Sequence, residues 1–503
     1  MSTPTPTPAP DPAVANEAAQ APAAPAPPRR SLGRAVGGGL AWSTVNNLVL
    51  RIGSLAVGIV LARILAPEQF GVYAVALTVQ SVLMTLADLG LSADLIRSPD
   101  HERLAPTVAS LGLTVGGALT IVMIATAQPV ADLMGSPAAS GAIAVLAVTL
   151  VLGSAGVVPY AALQRRFAQR QLFVIASIDF VVGTGITLGL LAAGWGVMAL
   201  AVGRVVAQTA TLVLQFVFAR ERPRYGFDRS VARAVLAFGI PVAGANVLSW
   251  SLLNIDNVVI AHVVGATALG FYVLAFNISN WPMSAIGQIV RSIALPLFSR
   301  TEGGGVLPAT AALTWAIALP AGGFLAVLAA PLIVVVYGEK WLPSASVLAA
   351  LGLFGALRAL FDLFASFLLA RGASRAVLWT QLVWFVALIP ALIVATTSWG
   401  IVGAGWVHLA VSLVFVLPAY FIALRRADVR LGELVRACLV PTVAMLPAAA
   451  AGLLVASLLP GALLALLGGA LAGGIVYAAC VLRWFLRRAK AALAAGRSAE
   501  HAR

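Results

Sequence analysis

The chain has 503 residues, 61% of them hydrophobic and only 10% charged. Soluble domains carry about 25% charged residues, so the composition excludes a soluble globular protein and places the chain in a bilayer. Two cysteines, Cys438 and Cys480, supply neither a disulfide framework nor a metal-ligand cluster, so no cofactor or metal is expected.

Residues 1–34 are rich in Pro, Ala and Thr and read as a disordered cytoplasmic tail. No cleavable signal peptide follows, because the next apolar stretch is too long for one. A hydrocarbon core about 30 Å thick takes about 20 helical residues to cross. The chain divides into fourteen such stretches, at 38–64, 70–94, 104–127, 141–163, 172–193, 195–219, 236–260, 267–289, 307–331, 345–370, 375–396, 400–424, 437–458 and 461–482. The expected fold is an all-α polytopic membrane protein. Its layout is an N-lobe of six spans over 35–234, a C-lobe of six over 235–430, two further spans within 431–486, and a basic cytoplasmic tail over 487–503.

Basic residues mark cytoplasmic loops. With both termini inside, 27 of the 32 Lys and Arg residues fall on the inner side, and only Arg63 and Lys340 fall outside. The net charge of +14 is therefore a topology signal, with membrane lipids and not nucleic acid as the partner.

The segment ARILAPEQFGVYAVA (Ala62 to Ala76) recurs 199 residues later as AHVVGATALGFYVLA (Ala261 to Ala275), with Ala62/Ala261, Gly71/Gly270, Tyr73/Tyr272 and Ala76/Ala275 identical. Spans one to six thus map onto seven to twelve with the same orientation, which implies a pseudo-two-fold axis along the membrane normal. A fainter echo relates Pro129–Gly135 to Pro331–Gly338. The Gly-x-Tyr turns read as outer-side hinges or packing points and not as substrate contacts.

Polar residues form stripes on spans one, two, seven and eight. Span one carries Ser43, Thr44, Asn47, Arg51 and Ser54, and span two carries Thr78, Ser81, Thr85 and Asp88. Span seven carries Asn246, Ser249, Asn254, Asp256 and Asn257, and span eight carries Asn277, Asn280, Ser284, Gln288 and Arg291. Stripes at equivalent positions fit a water-accessible cavity between the lobes, with interhelical hydrogen bonding as the alternative for any single residue.

Charges within the spans sharpen this reading. Arg51 falls about 18 Å along its helix from Arg63, where a guanidinium suits an anion such as phosphate or pairs with a carboxylate such as Asp88 or Asp256. Arg204 has no evident local partner and is a second candidate for anion binding. Asp256 can titrate and couple an ion, or lock the outer gate. Arg358 and Asp362, spaced i, i+4, read as a structural ion pair. Asp179 and Asp88 read as interfacially solvated, and His408 as a satisfied bundle residue. No phosphate-binding loop, HExxH or CxxC motif occurs, and the outer loops are short, so an enzyme is not expected.

The repeat, the following ADLGLSADLIR (Ala87 to Arg97), SLLNIDNVVIAHVVGATALGFY (Ser251 to Tyr272) and YGEKWLPSASVLAALG (Tyr337 to Gly352) resemble the polysaccharide transporters. These are Wzx-type flippases of lipid-linked oligosaccharides within the multidrug, oligosaccharidyl-lipid and polysaccharide exporter superfamily. The resemblance spans roughly residues 35–480 and is nearest to the exopolysaccharide-export branch. It implies two six-helix lobes working by alternating access in the bacterial inner membrane. The implied substrate is an undecaprenyl-pyrophosphate-linked oligosaccharide, with a polysaccharide polymerase as a partner machine. Arg51 and Arg204 would attract the pyrophosphate, and the Asn, Ser and Thr stripes would hydrate the sugar. A lipid II flippase and a drug or metabolite antiporter of the same superfamily are the neighbouring readings, and a membrane polymerase or ligase is the reading from another class.

Overall fold

The computed structural model of the chain describes residues 51–98, 100–220, 224–300 and 305–501. The chain divides between Gly53 and Ser54 into two units. The N-terminal tail and the Ser43, Thr44 and Asn47 positions lie outside the described residues, and Arg51 belongs to the first unit.

Among the described residues every regular element is helical. After α1 (residues 51–64) come α2 (Pro67–Asp88), α3 (Leu91–Arg97), α4 (His101–Ala125), α5 (Ala127–Leu133), α6 (Ser140–Ala155), α7 (Val157–Arg165), α8 (Gln169–Ala192) and α9 (Val197–Ala219). The remainder is α10 (Arg229–Val264), α11 (Ala266–Arg300), α12 (Val306–Val327), α13 (Ala329–Val336), α14 (Ser344–Ala370), α15 (Ser374–Val411), α16 (Leu417–Arg426), α17 (Leu431–Leu458) and α18 (Ala462–His501). In hydrocarbon each backbone polar group must be satisfied within its own segment, which is why the apolar stretches are helical throughout. Among the described residues, eleven helices are long and apolar enough to cross a membrane.

Local chemistry sets the breaks. Pro67 opens α2, where its missing N–H costs nothing. The Asp228 carboxylate caps α10 by accepting the Ser230 and Val231 N–H groups at 2.8 and 3.3 Å. Gly400, at φ 59° and ψ −144°, interrupts α15 between the two spans expected at 375–396 and 400–424. A side chain would be strained in that conformation.

The deepest helix is α14, which packs against α11, α12 and α15. Its partners interlock through aromatic rings, with Phe298 edge-on to Phe367 and Phe361 stacked on Tyr420.

The repeated motif has a direct structural meaning. Gly71 on α2 and Gly270 on α11 face each other where the two helices cross. A Cβ added at Gly71 would lie 1.7 Å from the Ala266 carbonyl oxygen, and one at Gly270 would lie 2.3 Å from that of Pro67. Pro67 and Ala266 are themselves repeat equivalents, so the contact is reciprocal, as a two-fold relation requires. The Gly-x-Tyr glycines are packing points because only hydrogen fits between the backbones.

Candidate functional site

Beside that crossing, the C-terminus of α1 is gripped by the turn before α14. Trp341 donates its indole N–H to the Ala62 carbonyl, and Lys340 donates to the carbonyls of Arg63 and Leu65, each at 2.8 Å. In return, Arg63 donates through Nε to the Val336 carbonyl at 2.8 Å and through Nη2 to that of Val335. The last carbonyls of a helix lack intrahelical partners, so these donors cap α1 from the other half of the chain. Trp341 is fully buried between the rings of Phe70 and Phe271. Burial, and then the neighbouring Arg63 charge, pull the Lys340 ammonium below its usual pKa.

The second copy builds the same clasp with different residues. His262, the repeat equivalent of Arg63, places Nδ1 2.6 Å from the Leu133 carbonyl oxygen. A Cβ at Gly135 would lie 2.8 Å from the Ala261 carbonyl oxygen. The fainter echo of Pro129–Gly135 in Pro331–Gly338 thus supplies the two halves of one pseudo-symmetric closure. Sequence reasoning placed Arg63 and Lys340 outside and gave them no task, although they were the two basic residues on the wrong side of the charge bias.

The polar stripes divide into residues that bond across helices and residues that bond back along their own. Trp250 on α10 donates to the Ser81 hydroxyl on α2 at 3.1 Å. Thr78, Ser81 and Thr85 bond to the carbonyls of Ala74, Thr78 and Ser81, and Asn254 bonds to that of Trp250. Such back-bonding hides polarity locally. Asn246, Asn277 and Gln288 are exposed, whereas Asn257 and Asn280 are half-buried. The side chains of Ser249 and Arg291 lie outside the described residues.

Asp256 does not line an open cavity. It is 4% exposed and accepts a 2.6 Å hydrogen bond from the Tyr272 hydroxyl, which lies 3.0 Å from His408 Nε2. The second oxygen of Asp256 accepts the Asn257 N–H at 3.0 Å. Asp256 and His408 are 3.9 Å apart at closest approach. The triad joins α10, α11 and α15. His408 therefore belongs to a buried polar network, and Tyr272, identical in both repeat copies, is the residue that completes it.

Arg204 departs from expectation. Its guanidinium lies 3.4 Å from the Asp179 carboxylate on α8, and the other oxygen of Asp179 accepts from Thr211 at 2.8 Å. The pair lies 25 residues apart on adjacent helices, beyond the reach of local spacing rules. Asp179 is thus paired and not simply solvated, and Arg204 is not without a partner. At the far end of α2, Asp88 accepts the Ser92 hydroxyl at 2.9 Å. Arg358 and Asp362 are both half-buried on α14, and Arg358 lines a small cavity with Phe276, Ser279 and Asn280. Among the described residues no cluster of His, Cys, Asp and Glu could hold a metal ion.

A repeated helical membrane unit, crossed at its own glycines and clasped at one end, is the architecture of a polytopic membrane protein. The chain belongs to the polysaccharide biosynthesis protein family, whose model matches residues 60–346. It is similar to the succinoglycan biosynthesis transport protein ExoT of Rhizobium meliloti (strain 1021), with 26% identity over 447 residues, 85% of this chain and 90% of that protein. It is also similar to the lipopolysaccharide biosynthesis protein WzxC of Escherichia coli (strain K12), with 24% identity over 396 residues, 77% of this chain and 80% of that one. Its fold matches that of the lipid II flippase MurJ in an inward closed conformation, with a TM-score of 0.74 and 13% identity, covering 88% of this chain and 98% of that one. An inward-facing multidrug resistance MATE family transporter matches with a TM-score of 0.56 and 17% identity, over 74% of this chain and 94% of that one. Family membership makes the chain a membrane transport protein and not an enzyme.

Proposed function

We propose that the chain moves an undecaprenyl-pyrophosphate-linked oligosaccharide from the cytoplasmic to the outer leaflet by alternating access, supplying exopolysaccharide or lipopolysaccharide synthesis. In this reading the molecule has fourteen spans: the eleven long apolar helices, α1 as the end of the first span, α11, and the division of the 374–426 run at Gly400. Spans one to six form the N-lobe within 35–234, seven to twelve the C-lobe within 235–430, and both termini are cytoplasmic, with polysaccharide polymerase machinery receiving the product outside.

The observation that carries the reading is the pseudo-symmetric clasp at the end assigned to the outside, where donors from each copy bind the helix end of the other. Opening that clasp while the opposite end closes is a rocking of two packed bodies. Arg51 is the pyrophosphate contact, since a guanidinium matches phosphate oxygens bidentately. Asn47, Asn246, Asn277, Gln288 and Arg291 meet the polar part of the substrate, and Arg358 with Asp362 serves structure. Arg204 is reassigned from anion binding to the Asp179 pair. The Asp256, Tyr272 and His408 network couples ion movement to the rocking, because a buried carboxylate beside an imidazole holds a proton only at the cost of rearranging its partners.

The test is restoration of surface polysaccharide in cells lacking the chain's gene, together with the leaflet distribution of the lipid-linked sugar. Wild-type protein restores both and Arg51→Ala restores neither while inserting normally. Full restoration by Arg51→Ala removes the phosphate assignment, and failure of the wild type to move lipid-linked sugar outward removes the function.

A further inference from the structure

A cavity of about 260 Å³ lies inside the N-terminal half, where the far end of α2 meets α6, α7 and α9. It is separate from the α2–α11 crossing and from the stripes of α10 and α11. Its polar lining is Asp88, Ser92, Ser154, Tyr160, Gln208 and Gln215, and Gly153 and Gly156 also line it; the buried Ser154 hydroxyl has no hydrogen-bond partner among the described residues. The two glycines fit closely against their neighbours. A Cβ at Gly156 would come within 2.4 Å of the Gln215 carboxamide oxygen, and one at Gly153 within 3.1 Å of the Met84 thioether.

The chemistry of the lining selects the class of ligand. One oxygen of Asp88 accepts the Ser92 hydroxyl at 2.9 Å, which leaves the carboxylate with further acceptor capacity. The Tyr160 hydroxyl accepts from Gln164 at 2.8 Å, so its own proton remains available to donate. Gln208 and Gln215 each bring an amide donor and a carbonyl acceptor to the wall. No Lys or Arg occurs among the described lining residues, and the only charge is negative, so phosphate is repelled. A bare cation would leave the amide donors unanswered, and the space is several times the roughly 30 Å³ that one water occupies. A neutral polyol answers the whole set, since each hydroxyl both donates and accepts. Met84, Val157 and the Tyr160 ring supply an apolar wall for the C–H face of a sugar ring.

We propose that this cavity is a subsite for one uncharged sugar ring of the transported glycan. The assignment rests on the flippase reading above. Polar groups held within a membrane bundle are costly unless they serve a pathway, and a sugar subsite gives this cluster its use. Tyr160 is 36% exposed and sits at the rim, at the end expected to face the cytoplasm, from which the loaded lipid arrives.

The experiment uses the purified full-length chain in detergent and a panel of methyl hexosides as probes, read by saturation-transfer NMR. Wild-type protein is expected to transfer saturation to at least one methyl hexoside. Gln208→Leu with Gln215→Leu, and separately Gly156→Val, are expected to lower the signal about tenfold, while exchanging sodium for choline leaves it unchanged. Should the Leu variants fail to fold, Gln208→Asn and Gln215→Asn carry the test, since they keep the amide but retract it by one carbon. Absence of transfer from the wild type to every hexoside, or a signal that the substitutions leave untouched, overturns the subsite. Sodium-dependent quenching of Tyr160 without sugar binding overturns it in favour of a cation site. The two proposals fail separately: wild-type protein that does not restore surface polysaccharide sinks the flippase reading, whereas restoration by wild type and by all cavity variants alike sinks only the sugar subsite.

Discussion

Trp341 donates its indole N–H to the carbonyl of Ala62 across 2.8 Å, joining residues 279 positions apart in the chain. Replacing it with Phe keeps the edge-on contacts to Phe70 and Phe271 and deletes the donor. The buried carbonyl left behind costs about 1–3 kcal/mol. Trp341→Phe is expected to lower the melting temperature in detergent and to raise thiol-reagent labelling of a cysteine placed at Leu65. Unchanged labelling would separate this contact from closure of the outer end.

Gly71→Ala and Gly270→Ala place methyl groups against the carbonyls of Ala266 and Pro67. Each forces the same pair of helices apart, at about 1–3 kcal/mol. Because one separation relieves both clashes, the double variant is expected to cost less than the sum of the singles. Thermal unfolding of the three proteins measures this, and strict additivity would show that the two glycines do not share one crossing.

Tyr272→Phe removes the hydroxyl between Asp256 and His408 and leaves both facing an apolar ring. The expected loss is about 1–3 kcal/mol of stability together with most of the transport. Asp256→Asn, which keeps an acceptor for Tyr272, is expected to fold nearly as well as wild type and still fail in polysaccharide restoration. Asn restoring full activity would confine the network to structure.

Arg204→Leu and Asp179→Leu each strand the other charge within the bundle. Removing both strands neither, so the double variant is expected to be more stable than either single. An Arg204→Leu protein as stable as wild type would return Arg204 to the list of substrate contacts.

Asp228 caps α10 and has its pKa lowered from 3.8 to about 2, first by the Ser230 hydroxyl and then by the Ser230 and Val231 N–H groups. A depressed carboxylate pKa contributes stability that is present above the unfolded value and lost as pH falls from about 4 toward 2. Asp228→Asn, a good neutral cap, is expected to flatten the pH dependence of melting in that window. An equal acid slope in both proteins would assign the slope to other carboxylates.

Much of the fold was legible because membrane burial writes itself on the sequence. Apolar runs locate helices, and the expected break near Gly400 appears where a positive φ interrupts α15. The 199-residue echo located the crossing before its nature was known, since only glycine tolerates carbonyls at that distance. The Asp179 to Arg204 pair and the Tyr272 to His408 contact were not legible, because their partners are 25 and 136 residues apart and periodicity reports one helix at a time.

The sequence alone determined that this is a helical membrane protein with a duplicated unit and a strong charge bias, because hydrophobicity, repetition and charge are properties of residues in order. Only the tertiary structure decided which polar groups are spent on each other. It committed Arg63, Lys340 and Trp341 to a clasp, Asp256 to Tyr272 and His408, and Arg204 to Asp179, while leaving Gln208 and Gln215 lining a cavity. Hydrogen bonds depend on direction and distance between helices, and a linear pattern holds neither.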